Sequence, residues 1–203
     1  MEYAALIAFT LTTFATPGPN NSMLMSSGLN YGVRRSLPHF LGIALGFPAM
    51  ALAVGLGFAE VFERQPILHT LLKVVGVSYL AYLAWRIATT PVDNRGVATG
   101  KPLTFLQSCA FQWVNPKAWV MAVGAIVTFT HAGGNYLLQV LTICLIFIVF
   151  GAPCNAAWLW LGRSLQNWVH NSQRLRHFNW AMAALLLASL LPVSYELLQL
   201  LMG

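Results

Sequence analysis

Six apolar runs, at about residues 3–29, 37–62, 67–87, 104–129, 136–161 and 178–201, take up most of this chain. Each is long enough to cross a hydrocarbon core of about 30 Å at about 1.5 Å rise per residue, the longer ones with a tilt or a break. With no water in a bilayer core, every backbone N–H and C=O must find its partner inside the protein, so the runs are expected to be helices. The overall composition of the 203 residues agrees: 58% are hydrophobic and 8% charged, where a soluble domain carries about a quarter charged. Too little polar surface exists to wet a globule. This excludes an ordinary soluble enzyme, a disordered chain and a secreted disulfide scaffold. The expected fold class is an all-α membrane protein of six transmembrane helices. No cationic segment precedes the first run and no small-residue cleavage site follows it, so it is expected to stay as a span.

The net charge of +6 would suit a nucleic-acid binder, but its distribution argues otherwise. Basic residues stand singly or in pairs between apolar runs and make no stripe that could track a phosphate backbone, so no nucleic-acid partner is expected. Loops one, three and five hold Arg34, Arg35, Arg86, Arg95, Lys101, Arg163, Arg174 and Arg176, whereas the opposite side has Arg64 with Glu2, Glu60 and Glu63. By the positive-inside rule the basic loops face the cytoplasm and both termini face outward. The one soluble-looking linker, residues 89–102, is rich in Pro, Gly, Asp and Asn.

The chain also resembles itself in halves. Interruptions at Pro17 to Pro19 in the first run and at Asn115-Pro116 in the fourth match one another, as do Pro48 in the second and Pro153 in the fifth. With three runs in each half, an odd number, the second half must be inverted. The expected organisation is a single transporter domain over 1–203, with repeat one at about 1–88, repeat two at about 103–203 and the linker between them. Helices 1 and 4 are expected to break at the midplane. Broken helices at matching places in inverted halves point to a midplane binding site.

The first break reads Thr16-Pro17-Gly18-Pro19-Asn20-Asn21. Its prolines remove two donors and leave the Thr13 and Ala15 carbonyls without their helical partners, which calls for a water-lined cavity, a ligand amine or another side chain. A second half-helix starts near Pro19 with Asn20 or Asn21 available as a cap, and its positive end suits a carboxylate. The second break is Gln112-Trp113-Val114-Asn115-Pro116-Lys117, where Pro116 frees the Gln112 carbonyl in the same way. Lys117 near the bilayer centre costs about 3 kcal/mol, and no acidic residue lies at that depth to pair with it. An anion would relieve the cost; a backbone carbonyl or a watery vestibule would also do so. Each break could alternatively be a packing kink.

Asn155, just after Pro153, is a further candidate for the same cavity, with a plain helix-helix hydrogen bond as the other reading. Lys73 can snorkel outward, and Gly42 and Gly46 read as packing positions. His39, His69, His131, His170 and His177 flank the runs or sit in loops. No metal site is expected, since no His, Cys or carboxylate is spaced with another for ligation. Cys109, Cys144 and Cys154 read as small buried hydrophobes. No cofactor and no enzymatic activity are expected.

The two broken runs, together with Leu83-Ala84-Trp85-Arg86-Ile87-Ala88-Thr89 and Cys154-Asn155-Ala156-Ala157-Trp158, resemble the LysE/RhtB family of amino-acid exporters, most of all its cysteine and O-acetylserine exporting subgroup. The resemblance covers nearly the whole chain. It implies a bacterial inner-membrane secondary transporter that moves small neutral amino acids of the cysteine, O-acetylserine, homoserine or threonine type outward, with the proton gradient as driving force. It carries over Pro17, Gly18, Pro19, Asn20, Asn21, Asn115, Pro116 and Lys117 to the cavity. The expected partners are the amino-acid substrate, the lipid bilayer and a coupling proton. In the expected pose the substrate carboxylate sits near Asn20 and Lys117, and its ammonium sits on the carbonyls of Thr13, Ala15 and Gln112. Proton coupling could use the substrate's own ionisation, Lys117, an edge histidine or no proton at all, and the oligomeric state stays open. Two other functions fit the residues less well. A thiol-disulfide electron carrier needs a reactive cysteine in each half, and the first three runs have none. A metal-cation exporter needs clustered ligands.

Overall fold

The structure, a computed structural model, describes residues 2–58, 66–92, 98–131, 134–167, 169, 172–192, 194, 195 and 199. Glu60, Glu63, Arg64, Arg95, His170 and Glu196, which enter the charge and histidine arguments, lie outside the described residues. Regular structure among the described residues is helical, apart from one isolated bridge between Val92 and Ala98.

The first run divides into α1 (Tyr3–Ala15) and the start of α2 (Pro19–Ala53). The local cause is steric. A residue before proline is pushed out of the helical region, and Thr16 accordingly has ψ 135 and ends α1. Gly18 is fully extended, and Pro19 opens α2 at the one position where its missing N–H costs nothing. The fourth run divides likewise into α4 (Phe105–Val114) and α5 (Pro116–Phe129), with Asn115 extended between them. α4 begins with a reciprocal capping box between Thr104 and Gln107. The 13 residues of α1 and the 10 of α4 reach only about 20 and 15 Å. Neither is long enough to cross a membrane alone.

α2 is itself two helices, joined at Gly32, whose φ of 76 and ψ of 167 turn the chain. This conformation is open to glycine and strained for other residues. Pro48 differs from the expected interruption, because α2 runs through it and gives way to a π-helical turn only at Val54–Phe58. α3 (Pro66–Ala88) follows. α6 (Tyr136–Ile146) continues through a second π-helical turn, Phe147–Gly151, into α7 (Ala152–Ser164), so Pro153 sits in a first turn. A 3-10 turn, Leu165–Asn167, precedes α8 (Ser172–Ala188). Pro19–Gly57, the turn at Gly32 included, and Tyr136–Ser164 have the length and apolar character that a membrane crossing requires.

α2 is the hub, packed on α7 and α4, while α3 packs on α8. The α2–α7 crossing is close enough to need glycine on both sides. A Cβ on Gly28 would fall 2.1 Å from the Leu159 carbonyl oxygen, and one on Gly162 would fall 2.0 Å from that of Met25. Gly42 and Gly46 seat α2 against Phe105, Ser108 and Cys109 on α4, as packing positions should. Phe14, Phe47 and Phe147 form one aromatic cluster, with centroids 5.0 to 5.8 Å apart. A second core joins Leu80, Leu83 and Phe111 to Ala183 and Leu186. Buried Asn30 and Asn179 lock α2 to α8 through two amide hydrogen bonds of 2.7 and 3.1 Å. Outside, Leu37, Leu41 and Leu45 stand exposed along α2, as do Val120 and Val127 on α5 and Leu138, Leu141 and Leu145 on α6. An outer surface this apolar suits lipid.

Candidate functional site

Both helix breaks border one cavity of about 310 Å³ of empty space, its mouth included. Of the residues singled out in the sequence, Gly18, Asn20, Asn21, Asn115, Lys117 and Asn155 line it. Thr16, Pro17, Pro19, Gln112 and Pro116 do not line it; they build the frame that carries it. Thr13, Phe14, Phe47, Ala118 and Met121 complete the lining. Thr13 entered the sequence reading only through its carbonyl, and the four apolar residues were not singled out because apolar residues on a helix face read as ordinary core.

Of the carbonyls released by the prolines, those of Thr13 and Gln112 find donors within the protein, as do those of Phe14 and Thr16 beside them, which differs from the expectation that a ligand, water or another span must supply them. At the first break the Asn21 amide donates to the Phe14 carbonyl at 2.9 Å and the Thr16 carbonyl at 2.7 Å. The Thr16 hydroxyl donates to the Thr13 carbonyl at 3.2 Å. Asn21 thus ties the start of α2 back to the end of α1 and caps nothing ahead of it. The N-cap of α2 is Gly18, with no side-chain cap. At the second break the Asn115 N–H turns back to the Gln112 carbonyl at 3.3 Å, and the Trp119 indole N–H donates to the Trp113 carbonyl at 2.7 Å. The Asn115 side chain caps α5 by accepting from the Lys117 N–H at 3.2 Å. Of the two helix starts, one is therefore capped and one is open.

Lys117 links the two breaks. Its ammonium donates to the Thr16 carbonyl at 2.7 Å and lies 3.4 Å from the Pro17 carbonyl oxygen. A cation placed at the carbonyl end of α1 is favoured by that helix's dipole. Bond and dipole together answer the question of what holds a lysine at this depth. Gly18 lets the lysine lie there, since a Cβ at that position would come within 2.8 Å of the Lys117 Cδ. Beside it, Asn20 and Gln112 exchange amide hydrogen bonds of 2.9 and 3.1 Å, and Gln112 also donates to the Ser108 carbonyl at 3.0 Å.

One lining group is left over. Asn155 is 1% exposed, and its side-chain Nδ2 is buried without a hydrogen-bond partner. An orphaned amide donor costs about 1–3 kcal/mol, so its presence in a polar cavity asks for an acceptor. Beside the uncapped start of α2, that makes two sources of donors and suits a carboxylate. Among the described residues no three His, Cys, Asp or Glu side chains come together in a way that could hold a metal.

The sequence profile of the LysE type translocator family matches residues 11–191. The chain belongs to the LysE translocator family. Proteins of Escherichia coli strain K12 and of Shigella flexneri serotype 5b, each named cysteine/O-acetylserine efflux protein, are 33% identical to it over 193 residues. The aligned part covers 95% of this chain and 97% of each relative. No solved structure matches. The family membership makes the chain an amino-acid efflux transporter, a membrane protein and not an enzyme.

His39 is the site-like residue that sequence reasoning missed. Taken as one that flanks a run, it is 1% exposed and borders a second cavity. Lys73 is half-buried on α3 and lines neither cavity.

Proposed function

We propose that this LysE-family translocator exports small neutral amino acids of the cysteine, O-acetylserine, homoserine or threonine type from the cytoplasm by alternating access around the Asn155 cavity. The observation that carries this reading is the buried, partnerless Asn155 amide between two interrupted helices. The substrate carboxylate docks on the open start of α2, at the Asn20 and Asn21 backbone N–H groups, and accepts from Asn155. The substrate ammonium turns to the carbonyl end of α1, where Lys117 rests when the cavity is empty. Thr13 and Gln112 no longer serve as the expected amine acceptors, since their carbonyls are engaged locally. A fixed cationic substrate side chain finds no carboxylate among the lining residues, which disfavours lysine and arginine.

The architecture behind this is a single domain of six spans over 1–203, with two inverted repeats at about 1–88 and 103–203 that rock about the site. The basic loops lie in the cytoplasm and the termini outside, in a bacterial inner membrane. The efflux names of the E. coli and Shigella relatives support cysteine and O-acetylserine as first substrates to try. Cells that overproduce the protein are expected to accumulate one or more of the four amino acids in the medium. Accumulation of none of them, with the protein present in the membrane, overturns the reading.

A further inference from the structure

Six residues beyond Asn20 and Asn21, about 9 Å along α2, the helix presents Ser26 and Ser27 to a second cavity of about 410 Å³, mouth included. This space is chemically unlike the first. With Ser26 its lining includes Ser27, Tyr31, His39, Arg86, Thr90 and Lys101, so two cations, four hydroxyls and an imidazole share it, with no carboxylate among the described lining residues. His39 bonds through Nδ1 to the Ser27 hydroxyl at 2.8 Å, while its Nε2 is buried with no partner. The Tyr31 and Thr90 side chains are hydrogen-bonded to one another.

Thr90, Lys101 and Pro102 of the linker line this cavity. Val92 bridges to Ala98, the Arg35 guanidinium donates to the Gly100 carbonyl at 2.9 Å, and Ala98 and Leu103 are buried. Gly100 passes so near Tyr31 that a Cβ there would meet its hydroxyl at 2.9 Å. The segment after the bridge thus brings Lys101 to the cavity that Arg86 on α3 also lines. Two cations that line one pocket, with no counter-charge among its described residues, repel each other, and an anion between them removes the repulsion and gains charge-assisted hydrogen bonds.

We propose that the His39 cavity is a second binding site, which takes the carboxylate of an amino acid on the basic-loop side before it passes along α2 to the Asn155 cavity. The passage rests on the export reading above; the binding does not. Arg86 and Lys101 hold the carboxylate, and His39 and the hydroxyls orient it. The amino group is not required, because the pocket offers it no negative charge.

Equilibrium binding to the purified full chain tests this, in an Asn155→Leu background that fills the other cavity. The probes are 3-mercaptopropionate, which is cysteine without its amino group, and cysteamine, which is cysteine without its carboxylate. The expected result is that 3-mercaptopropionate binds and cysteamine does not compete. Arg86→Gln with Lys101→Gln should weaken binding by about tenfold or more, the worth of a charge-assisted contact. Lys101→Gln alone, at an exposed side chain that can change without unfolding the protein, should weaken it measurably, and Lys101→Arg should restore it. Binding that survives Lys101→Gln and the double variant unchanged, or equal competition by cysteamine, overturns the second site. Cysteine export unaffected by Asn155→Leu would overturn the first site instead, and leave this binding measurement standing.

Discussion

Replacing Lys117 by methionine separates a lysine that works from one that merely holds the fold. Methionine keeps the length and loses the ammonium bond to the Thr16 carbonyl at 2.7 Å. Such a charge-assisted bond contributes about 1.5–3 kcal/mol. The Thr16 carbonyl is not orphaned, because the Asn21 amide still donates to it at 2.7 Å. Removing a lysine from the membrane interior returns about 3 kcal/mol. The two effects nearly cancel, so the unfolding midpoint of the purified protein in detergent should move by no more than about 4 °C, the shift that about 1 kcal/mol produces in a domain of this size. Export should nevertheless fall to background, since the group that trades places with the substrate ammonium at the end of α1 is gone. Amino-acid release from cells and a thermal melt on the same variant read both quantities. Wild-type efflux would remove Lys117 from the mechanism, and a fall in the midpoint of about 10 °C or more would show a structural strut instead.

Three further outcomes are expected. Gly18→Ala puts a Cβ within 2.8 Å of the Lys117 Cδ; the flexible side chain gives way, so the protein folds but its transport rate falls, as vesicle assays would record. Gly28→Ala meets the Leu159 carbonyl oxygen at 2.1 Å, where backbone must yield, and should cost about 1–3 kcal/mol in a chemical melt. Asn30→Ala leaves the buried Asn179 amide without its reciprocal partner and should destabilise by about 1–3 kcal/mol; an unchanged melt would mean that water or another side chain takes its place.

Helix type and the places of the breaks were legible because proline acts locally. Pro17, Pro19 and Pro116 each remove a donor and push the preceding residue out of the helix, whatever surrounds them. Pro48 shows where that reasoning stops. Inside a long packed helix, tertiary contacts from α4 and α6 hold α2 together across the missing bond, and no local rule foretells this. The direction of satisfaction was likewise hidden. Counting freed carbonyls suggested a site short of donors, yet Thr16 and Asn115 supply those of Thr13 and Gln112, and the cavity holds an unpartnered donor, Asn155. Such a sign can be read only when distant side chains are placed together. His39 escaped notice for the same reason: its position near the end of a run says nothing about the cavity it shares with Arg86 and Lys101 from elsewhere in the chain.

Counterflow in proteoliposomes bears most directly on the claim that the two breaks and Asn155 form the amino-acid site. Vesicles holding the full chain and preloaded with unlabelled cysteine are placed in trace labelled cysteine. The account predicts rapid, transient accumulation of label with the wild-type protein. It predicts none with Asn155→Leu, which should melt higher than wild type because an unpaired buried amide has been removed. Label accumulating equally in both, or in neither while the same vesicles bind cysteine, would contradict it.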